Sequence, residues 1–164
     1  MNVKGNMDAK ANTSESANEN MNAEPGASQL SKANRARVWW AITAMLLLAA
    51  AIGLCIALGW GAAGITLLFA VLPDAALIGA FAEQGRLKPS RVRFYNLMHA
   101  PILAIALAAA GAILLLLPAR PWGLALAGLA WMAHIAADRA FGYGLRAPDG
   151  SIVPVGSAPG RSEA

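Results

Sequence analysis

The chain has 164 residues, of which 57% are hydrophobic and only 13% are charged. That balance is typical of a small polytopic membrane protein and argues against a soluble domain. The formal net charge of +4 does not indicate a nucleic-acid partner, because the basic residues flank apolar runs and have no aromatic residues interleaved among them. The single cysteine, Cys55, excludes an intrachain disulfide and a Cys-x-x-Cys metal site.

Residues 1–37 are rich in Asn, Ala, Ser, Glu and Lys and contain too few apolar residues to bury a core. They predict a disordered tail, and a Gly/Pro/Ser-rich segment at 147–164 predicts a second one. Residues 38–146 are apolar with short interruptions, which predicts an all-α, four-helix transmembrane bundle that has the lipid bilayer as its partner. The predicted spans cover residues 38–58, 62–82, 93–117 and 122–143.

The basic residues are distributed asymmetrically about these four spans. Twelve of the thirteen Lys and Arg residues belong to the side that holds both tails and the polar loop 83–93, counting Arg139 about one turn inside the last span, and only Arg120 falls on the other side. Because basic residues are retained on the cytoplasmic side of a membrane, the pattern predicts that both termini are cytoplasmic. Three or five spans would destroy the asymmetry, so the charge distribution also supports the number of spans.

Small residues recur at four-residue spacing along the first span and the turn after it. They are Ala49, Gly53, Ala57 and Gly61. Such a stripe allows a neighbouring helix to approach closely, where dispersion and weak C–H contacts favour association. It predicts tight helix packing and offers a surface through which the protein could form a homo-oligomer.

Two aspartates and two histidines lie inside the predicted spans, where charge is costly unless it faces a partner or a cavity. At 1.5 Å per residue, Asp74 is roughly 12 Å and His99 roughly 9 Å from the cytoplasmic ends of their spans. His134 is roughly 13 Å deep and Asp138 roughly 7 Å deep in the last span. Three helices therefore place ionisable groups in the same cytoplasmic half of the bilayer, which predicts one shared cluster.

The spacing of these residues also predicts which helix faces carry them. His134 and Asp138 are four residues apart and lie one above the other on the last span. Tyr95, Asn96 and His99 gather on one stripe of the third span. We therefore expect Tyr95 and Asn96 to belong to the polar cluster.

Prolines accompany two of the ionisable residues, since Pro73 precedes Asp74 and Pro101 follows His99 by two positions. Each lacks an N–H group and leaves a carbonyl one turn earlier without a partner, which predicts kinks and a widened, partly hydrated cavity. Arg139 is about 100° around the helix from Asp138, so we expect it to extend to a lipid phosphate or to reach across the bundle to Asp74.

Three interpretations of the cluster remain open from these residues. His99, His134, Asp138 and Asp74 offer the nitrogen and oxygen ligands that divalent Zn, Mn or Fe accept. Chains of carboxylates and imidazoles also serve as proton or ion relays. Alternatively, the network fixes helix register and has a structural or interaction role. The structural role is the first hypothesis, a membrane-embedded metal-dependent enzyme acting on a lipid or headgroup is the second, and no motif names a reaction.

Three motifs give the chain a resemblance to a known family. They are Leu72-Pro73-Asp74, Tyr95-Asn96-Leu97-Met98-His99, and the run from Trp131 to Arg146 that contains His134, Asp138-Arg139 and Gly142-Tyr143-Gly144-Leu145-Arg146. Over roughly residues 38–148 the chain resembles the bacterial integral membrane family catalogued as domain of unknown function 4260. The resemblance implies membrane residence and the same set of polar residues, and it implies no activity. We expect a multi-pass protein of the bacterial plasma (inner) membrane.

Overall fold

The computed structural model describes residues 25–82, 85–119 and 121–157. Within those ranges the chain is helical and has no β-strand, only two isolated bridges. The helices are α1 (Pro25–Leu58), α2 (Trp60–Val71), a 3₁₀ helix (Leu72–Leu77), α3 (Pro89–His99), α4 (Pro101–Leu114) and α5 (Gly123–Phe141). The predicted all-α bundle with four helical passes is confirmed: α1, α2 with the 3₁₀ helix, α3 with α4, and α5.

Three of the four passes are long and apolar enough to cross a membrane. They are Leu30–Leu58, Trp60–Leu77 and Pro89–Leu114. The fourth pass, α5, carries His134, Asp138 and Arg139, which lower its hydropathy. It is nevertheless the centre of the bundle, because α1, α2 and α4 all pack against it and eight of its residues are buried. Helices of the three more apolar passes therefore pack around the least apolar pass.

Helix α1 begins at Pro25, inside the segment 1–37 that the sequence predicts as a tail. Proline is well tolerated there, because the first turn of a helix has no partner for its N–H groups. The helix extends beyond the apolar run and contacts the C-terminal segment, where Gly156 packs against Ala33 and Ala36. Residues 1–24 lie outside the described part of the chain.

The first part of the predicted C-terminal tail, 147–157, also has defined structure. The Ala147 N–H donates to the Ser151 carbonyl at 2.9 Å, and the Leu87 N–H donates to the Gly150 carbonyl at 3.1 Å. Leu87 is fully buried, so this segment covers an apolar side chain of the loop before α3. The prediction for residues 158–164 lies outside the described residues.

Prolines divide two of the predicted spans. Ala100 has an extended conformation (φ −80°, ψ 131°) between α3 and α4, because the ring of Pro101 disfavours a helical conformation at the preceding residue. Pro73 begins the change from α2 to the 3₁₀ helix, which ends at Leu77 instead of continuing to residue 82. The predicted breaks are present at both prolines, and each helix on either side of a break is shorter than the span predicted from the sequence.

Close helix packing occurs at a different place from the predicted stripe. Cβ atoms added to Gly111 and Gly128 would lie 2.0 Å from the Ala125 nitrogen and 2.3 Å from the Ala108 nitrogen. Only glycine allows the backbones of α4 and α5 to approach this closely. These two glycines form the seam between the two helices.

The four residues of the predicted stripe, Ala49, Gly53, Ala57 and Gly61, are all exposed. A Cβ added to Gly53 would meet nothing within 4 Å. Because α1 ends at Leu58, Gly61 lies on α2 and does not continue the line of α1. The stripe therefore faces outward, and a homo-oligomer built on it stays a prediction.

Candidate functional site: a buried His/Asp cluster

The four ionisable residues of the predicted layer come together at one point. Asp74 lies on the 3₁₀ helix, His99 is the last residue of α3, and His134 and Asp138 lie on α5. The His99 Nε2 atom is 3.4 Å from Asp138 Oδ2 and 3.8 Å from Asp74 Oδ1. The His134 Nε2 atom is 3.5 Å from Asp138 Oδ2 and 3.6 Å from Asp74 Oδ1. Both imidazole rings therefore point their outer nitrogens at the same two carboxylates.

His99 is held in a defined orientation by the end of α3. Its side chain is only 2% exposed, and its Nδ1 atom lies 3.0 Å from the Tyr95 carbonyl oxygen. Because a carbonyl can only accept, Nδ1 must carry the proton and donate it. In the neutral ring Nε2 then carries a lone pair, directed at the carboxylates.

The two imidazoles lack hydrogen-bond partners on the nitrogens that face the carboxylates. The Nε2 atoms of His99 and His134 are buried and make no hydrogen bond within the described residues. Their distances to the carboxylates, 3.4 to 3.8 Å, exceed the usual limit of about 3.2 Å for an N–H···O bond. Buried polar atoms without partners are uncommon in folded proteins and require an explanation.

Burial decreases across the cluster from His99 towards Asp74. His134 and Asp138 are 11% and 22% exposed, whereas the Asp74 side chain is 49% exposed. Asp74 is exposed because the 3₁₀ helix lies at the edge of the bundle, with Pro73 buried beneath it. The cluster is therefore closed at His99 and open at Asp74.

Arg139 takes neither of the two positions predicted for it. It is 8% exposed, and its Nη2 and Nη1 atoms donate to the carbonyls of His99 at 3.0 Å and Tyr143 at 3.1 Å. The His99 carbonyl lies at the break before Pro101, at the C-terminal end of α3, where helical carbonyls lack intrahelical donors. The buried guanidinium therefore supplies the donor that the His99 carbonyl lacks, and this contact replaces the lipid contact that was predicted.

Tyr95 and Asn96 lie beside the cluster, and their side chains hydrogen-bond to the backbone after α5 and not to the carboxylates of the cluster. The Tyr95 ring stacks on His99 with ring centroids 4.0 Å apart, and its hydroxyl donates to the Gly144 carbonyl at 3.4 Å. The Asn96 side chain pairs with the backbone of Arg146, donating to its carbonyl and accepting from its N–H, each at 2.8 Å. Tyr95 therefore supports His99, while Asn96 anchors the segment after α5.

Three further residues were not predicted as part of the site. The Trp131 indole donates to the Met98 carbonyl at 2.9 Å, beside the break between α3 and α4. The Arg146 guanidinium lies 5.4 Å from the centroid of the Tyr95 ring, and Arg37 on α1 donates to the Ala140 carbonyl at 3.0 Å. From the sequence, both arginines are expected to set the topology, and Arg146 also ends the last family motif. Their partners are carbonyls and a ring on other helices, which no local spacing reveals.

The arrangement is chemically suited to a cation. Asp74, His99 and His134 each offer one ligand atom, and the three atoms lie within 4.8 Å of one another. Two lone pairs and two carboxylates facing a common centre repel one another unless a proton or a metal ion lies between them. The described residues thus form a helical bundle, apolar enough for a membrane, with a His/Asp cluster inside it.

Residues 36–152 match the sequence profile of the family described as Domain of unknown function (DUF4260). The chain therefore belongs to that family, and the resemblance stated from its motifs is confirmed. No curated protein and no solved structure gives a significant match to the chain.

Proposed function

We propose that this protein binds a divalent transition metal, zinc being the best fit, through His99, His134, Asp138 and Asp74. We further propose that it resides in the bacterial plasma membrane with both termini in the cytoplasm, as the distribution of its basic residues indicates. The metal site would then lie in the inner half of the bilayer, within reach of the cytoplasmic surface.

The observation that carries the metal proposal is the spacing of the ligand atoms. A tetrahedral zinc ion with bonds of about 2.0 Å places its ligand atoms about 3.3 Å apart. The four His–Asp distances in the cluster are 3.4, 3.5, 3.6 and 3.8 Å. They are longer than ordinary hydrogen bonds and close to four of the six edges of such a tetrahedron. The group whose ligand atoms all lie within 4.8 Å of one another is Asp74, His99 and His134.

The surroundings of His99 support the same proposal. Metal-binding histidines usually donate their second ring N–H to a carbonyl or a carboxylate, which fixes the ring and its tautomer. The His99 Nδ1 atom makes this bond to the Tyr95 carbonyl. A purely structural network would instead be expected to satisfy the two imidazole Nε2 atoms with hydrogen bonds.

The exposure of Asp74 favours a catalytic site over a closed structural one. Structural zinc sites are closed by four protein ligands, whereas catalytic sites keep one position open for water or substrate. His99, His134 and Asp138 supply three ligands that are 2%, 11% and 22% exposed, and the half-exposed Asp74 occupies the open side. There Asp74 could either complete the ligand set or accept a proton from a metal-bound water.

The experiment is a measurement of bound metal. The full chain is purified in detergent without added chelator, and Zn, Mn and Fe are quantified by mass spectrometry. We expect about one equivalent of metal per chain, lost in His134→Gln and in Asp138→Asn. Asp149→Asn, which removes a carboxylate outside the cluster, should retain it. A folded wild-type protein that stays metal-free after incubation with each ion would overturn the proposal.

A proton relay is the second candidate, because ionisable groups 3.4 to 3.8 Å apart lead from the half-exposed Asp74 to the buried His99. Proton flux into liposomes that depends on Asp74 would support it. The two functions separate cleanly, since a relay needs no metal and should be insensitive to chelators.

A further inference from the structure

An apolar crevice reaches one of the cluster histidines from the outside of the bundle. It lies between α1, α2 and α5 and has a volume of about 240 Å³. His134 is the only ionisable residue in its wall. The other lining residues are Ala44, Met45, Leu48, Ala51, Thr66, Ala70, Ala130, Ala133 and Ala137.

A second crevice, between α1, α4 and α5, provides an internal comparison. It is larger, about 490 Å³, and is lined only by apolar residues, among them Ala108, Ala109 and Met132. A groove on a membrane protein is by itself unremarkable because lipid chains fill it. The smaller crevice differs in that it reaches a buried imidazole.

A cation lies at one end of the smaller crevice. Arg37 precedes Ala44 by seven residues, so it lies on the same face of α1 as the crevice wall, about two turns away. Its guanidinium donates to the carbonyls of Ala140 at 3.0 Å and Phe141 at 3.3 Å, just beyond the wall residue Ala137. Among the described residues, no carboxylate lies within 4.0 Å of it.

Arg37 lies beyond one end of the crevice, and His134 lies part of the way along its α5 wall, which extends from Ala130 to Ala137. Arg37 supplies an exposed positive charge at the cytoplasmic end, and small apolar side chains line the space below it. His134 lies six residues before Ala140 on α5, or about 9 Å deeper. An anionic headgroup attached to an apolar chain complements this order of charge, alanine wall and imidazole.

We propose that this crevice binds an anionic phospholipid, with the phosphate beside Arg37 and one acyl chain along the alanine wall. The junction between headgroup and chain would then pass His134. This inference rests on the proposed metal site in one respect, because the lipid is a substrate of that site only if His134 holds a metal.

The test uses the full chain in phosphatidylcholine nanodiscs that contain phosphatidylglycerol with a photoreactive group on its acyl chain. After illumination, labelled peptides are mapped, and bound metal is measured on the same samples. Labelling should concentrate on α1, α2 and α5 around the smaller crevice. Photoreactive phosphatidylcholine should label it less.

Matched variants separate specific binding from the ordinary lipid shell. Ala133→Leu fills the smaller crevice and should reduce its labelling to the level of the larger one, while Ala109→Leu, the same change in the larger crevice, should not. Arg37→Gln should lower the preference for phosphatidylglycerol about fivefold, as expected for one lost basic contact, and Arg37→Lys should retain it. If Ala133→Leu does not fold, Ala44→Leu serves the same purpose.

Equal labelling of both crevices, insensitive to Ala133→Leu and Arg37→Gln, would overturn the lipid site. Metal binding without this labelling pattern would leave the proposed metal function standing and refute the lipid. The labelling pattern in a metal-free protein would establish the lipid site and refute its role as substrate of a metal centre.

Discussion

Helix α1 lies on the outside of the bundle and helix α5 at its centre, and their compositions explain why. Between residues 30 and 58 of α1 only Ala51 is buried, and side chains such as Met45 (71% exposed) and Ile56 (82%) face outward. Helix α5 contains His134 and Arg139 yet is the most buried helix among the described residues. In a bilayer the apolar helix can face lipid at no cost, whereas the polar helix must be enclosed.

The largest test of this contrast replaces a small residue on each helix by a large one. Gly128→Leu on α5 would drive a side chain into the α4 backbone, where the added Cβ alone would lie 2.3 Å from the Ala108 nitrogen. We expect a loss of more than about 3 kcal/mol in the free energy of unfolding, or no folded protein. Gly53→Leu on α1 meets open space and should leave stability unchanged. Thermal unfolding in detergent measures both, and equal effects would refute the contrast.

The same Gly53→Leu variant sharpens the prediction for the outward-facing stripe. If a second copy packs on Ala49, Gly53 and Ala57, a leucine in the stripe should separate the copies without unfolding the chain. Size-exclusion chromatography with light scattering gives the answer. A monomeric wild-type protein would show that the stripe faces only lipid.

Removal of bound metal from the cluster beside α5 should have the next largest effect on the free energy of unfolding. At a free metal concentration of about 100 times the dissociation constant, bound metal contributes about 2.7 kcal/mol to stability. A chelator should remove this contribution from the wild-type protein, and chelated wild type should unfold like untreated His134→Gln. An identical chelator effect in wild type and in His134→Gln would mean that the metal acts elsewhere.

Arg139 and Arg37 test how much burial increases the contribution of one hydrogen-bonding arginine to the free energy of unfolding. Arg139→Ala leaves the buried His99 carbonyl without its donor and should lower the free energy of unfolding by about 2 kcal/mol. Arg37→Ala removes an exposed contact at the C-terminal end of α5, where a cation contributes about 0.5 kcal/mol. Denaturant titration in detergent compares the two, and a larger effect for Arg37 would contradict the structure.

The sequence could predict the layer of Asp74, His99, His134 and Asp138 because depth in a membrane follows directly from helical rise and span ends. It also predicted kinks at Pro73 and Pro101, since a missing N–H is a local property. It could not predict the position of Arg139, because one of its two partners, the His99 carbonyl, is exposed by a break in a different helix.

The C-terminal segment illustrates the same limit. Its Gly/Pro/Ser composition is typical of disorder, yet Gly150 lies so close to Leu87 that an added Cβ would be 1.8 Å from the Leu87 carbonyl oxygen. Its order comes from Asn96, which holds the Arg146 backbone, and from Leu87, which needs cover. Both residues lie fifty or more positions from their partners in the chain, so local composition cannot reveal these contacts.

The smallest expected effect concerns the loop around Asp149 and Ser151, in the C-terminal segment that follows α5. The Ser151 hydroxyl and N–H donate to Asp149 at 2.7 and 3.0 Å, and the Ser151 hydroxyl is the main cause that lowers the pKa of the Asp149 carboxyl below its ordinary value, with the Arg86 guanidinium assisting. Because the folded pKa is depressed, the ionised carboxylate stabilises the loop above the unfolded pKa of about 3.9. That contribution disappears as the pH falls through the lower, folded pKa.

Hydrogen exchange of residues 145–153 provides the measurement, corrected for intrinsic exchange at each pH. Asp149→Ala should exchange faster than wild type at neutral pH, and the two should converge once the wild-type carboxyl is protonated. Because this carboxylate is fully exposed, helix α5 should keep its protection throughout. If α5 lost protection together with the loop, the two would unfold as one unit. The buried helix would then be less distinct from the outer parts of the molecule than its packing indicates.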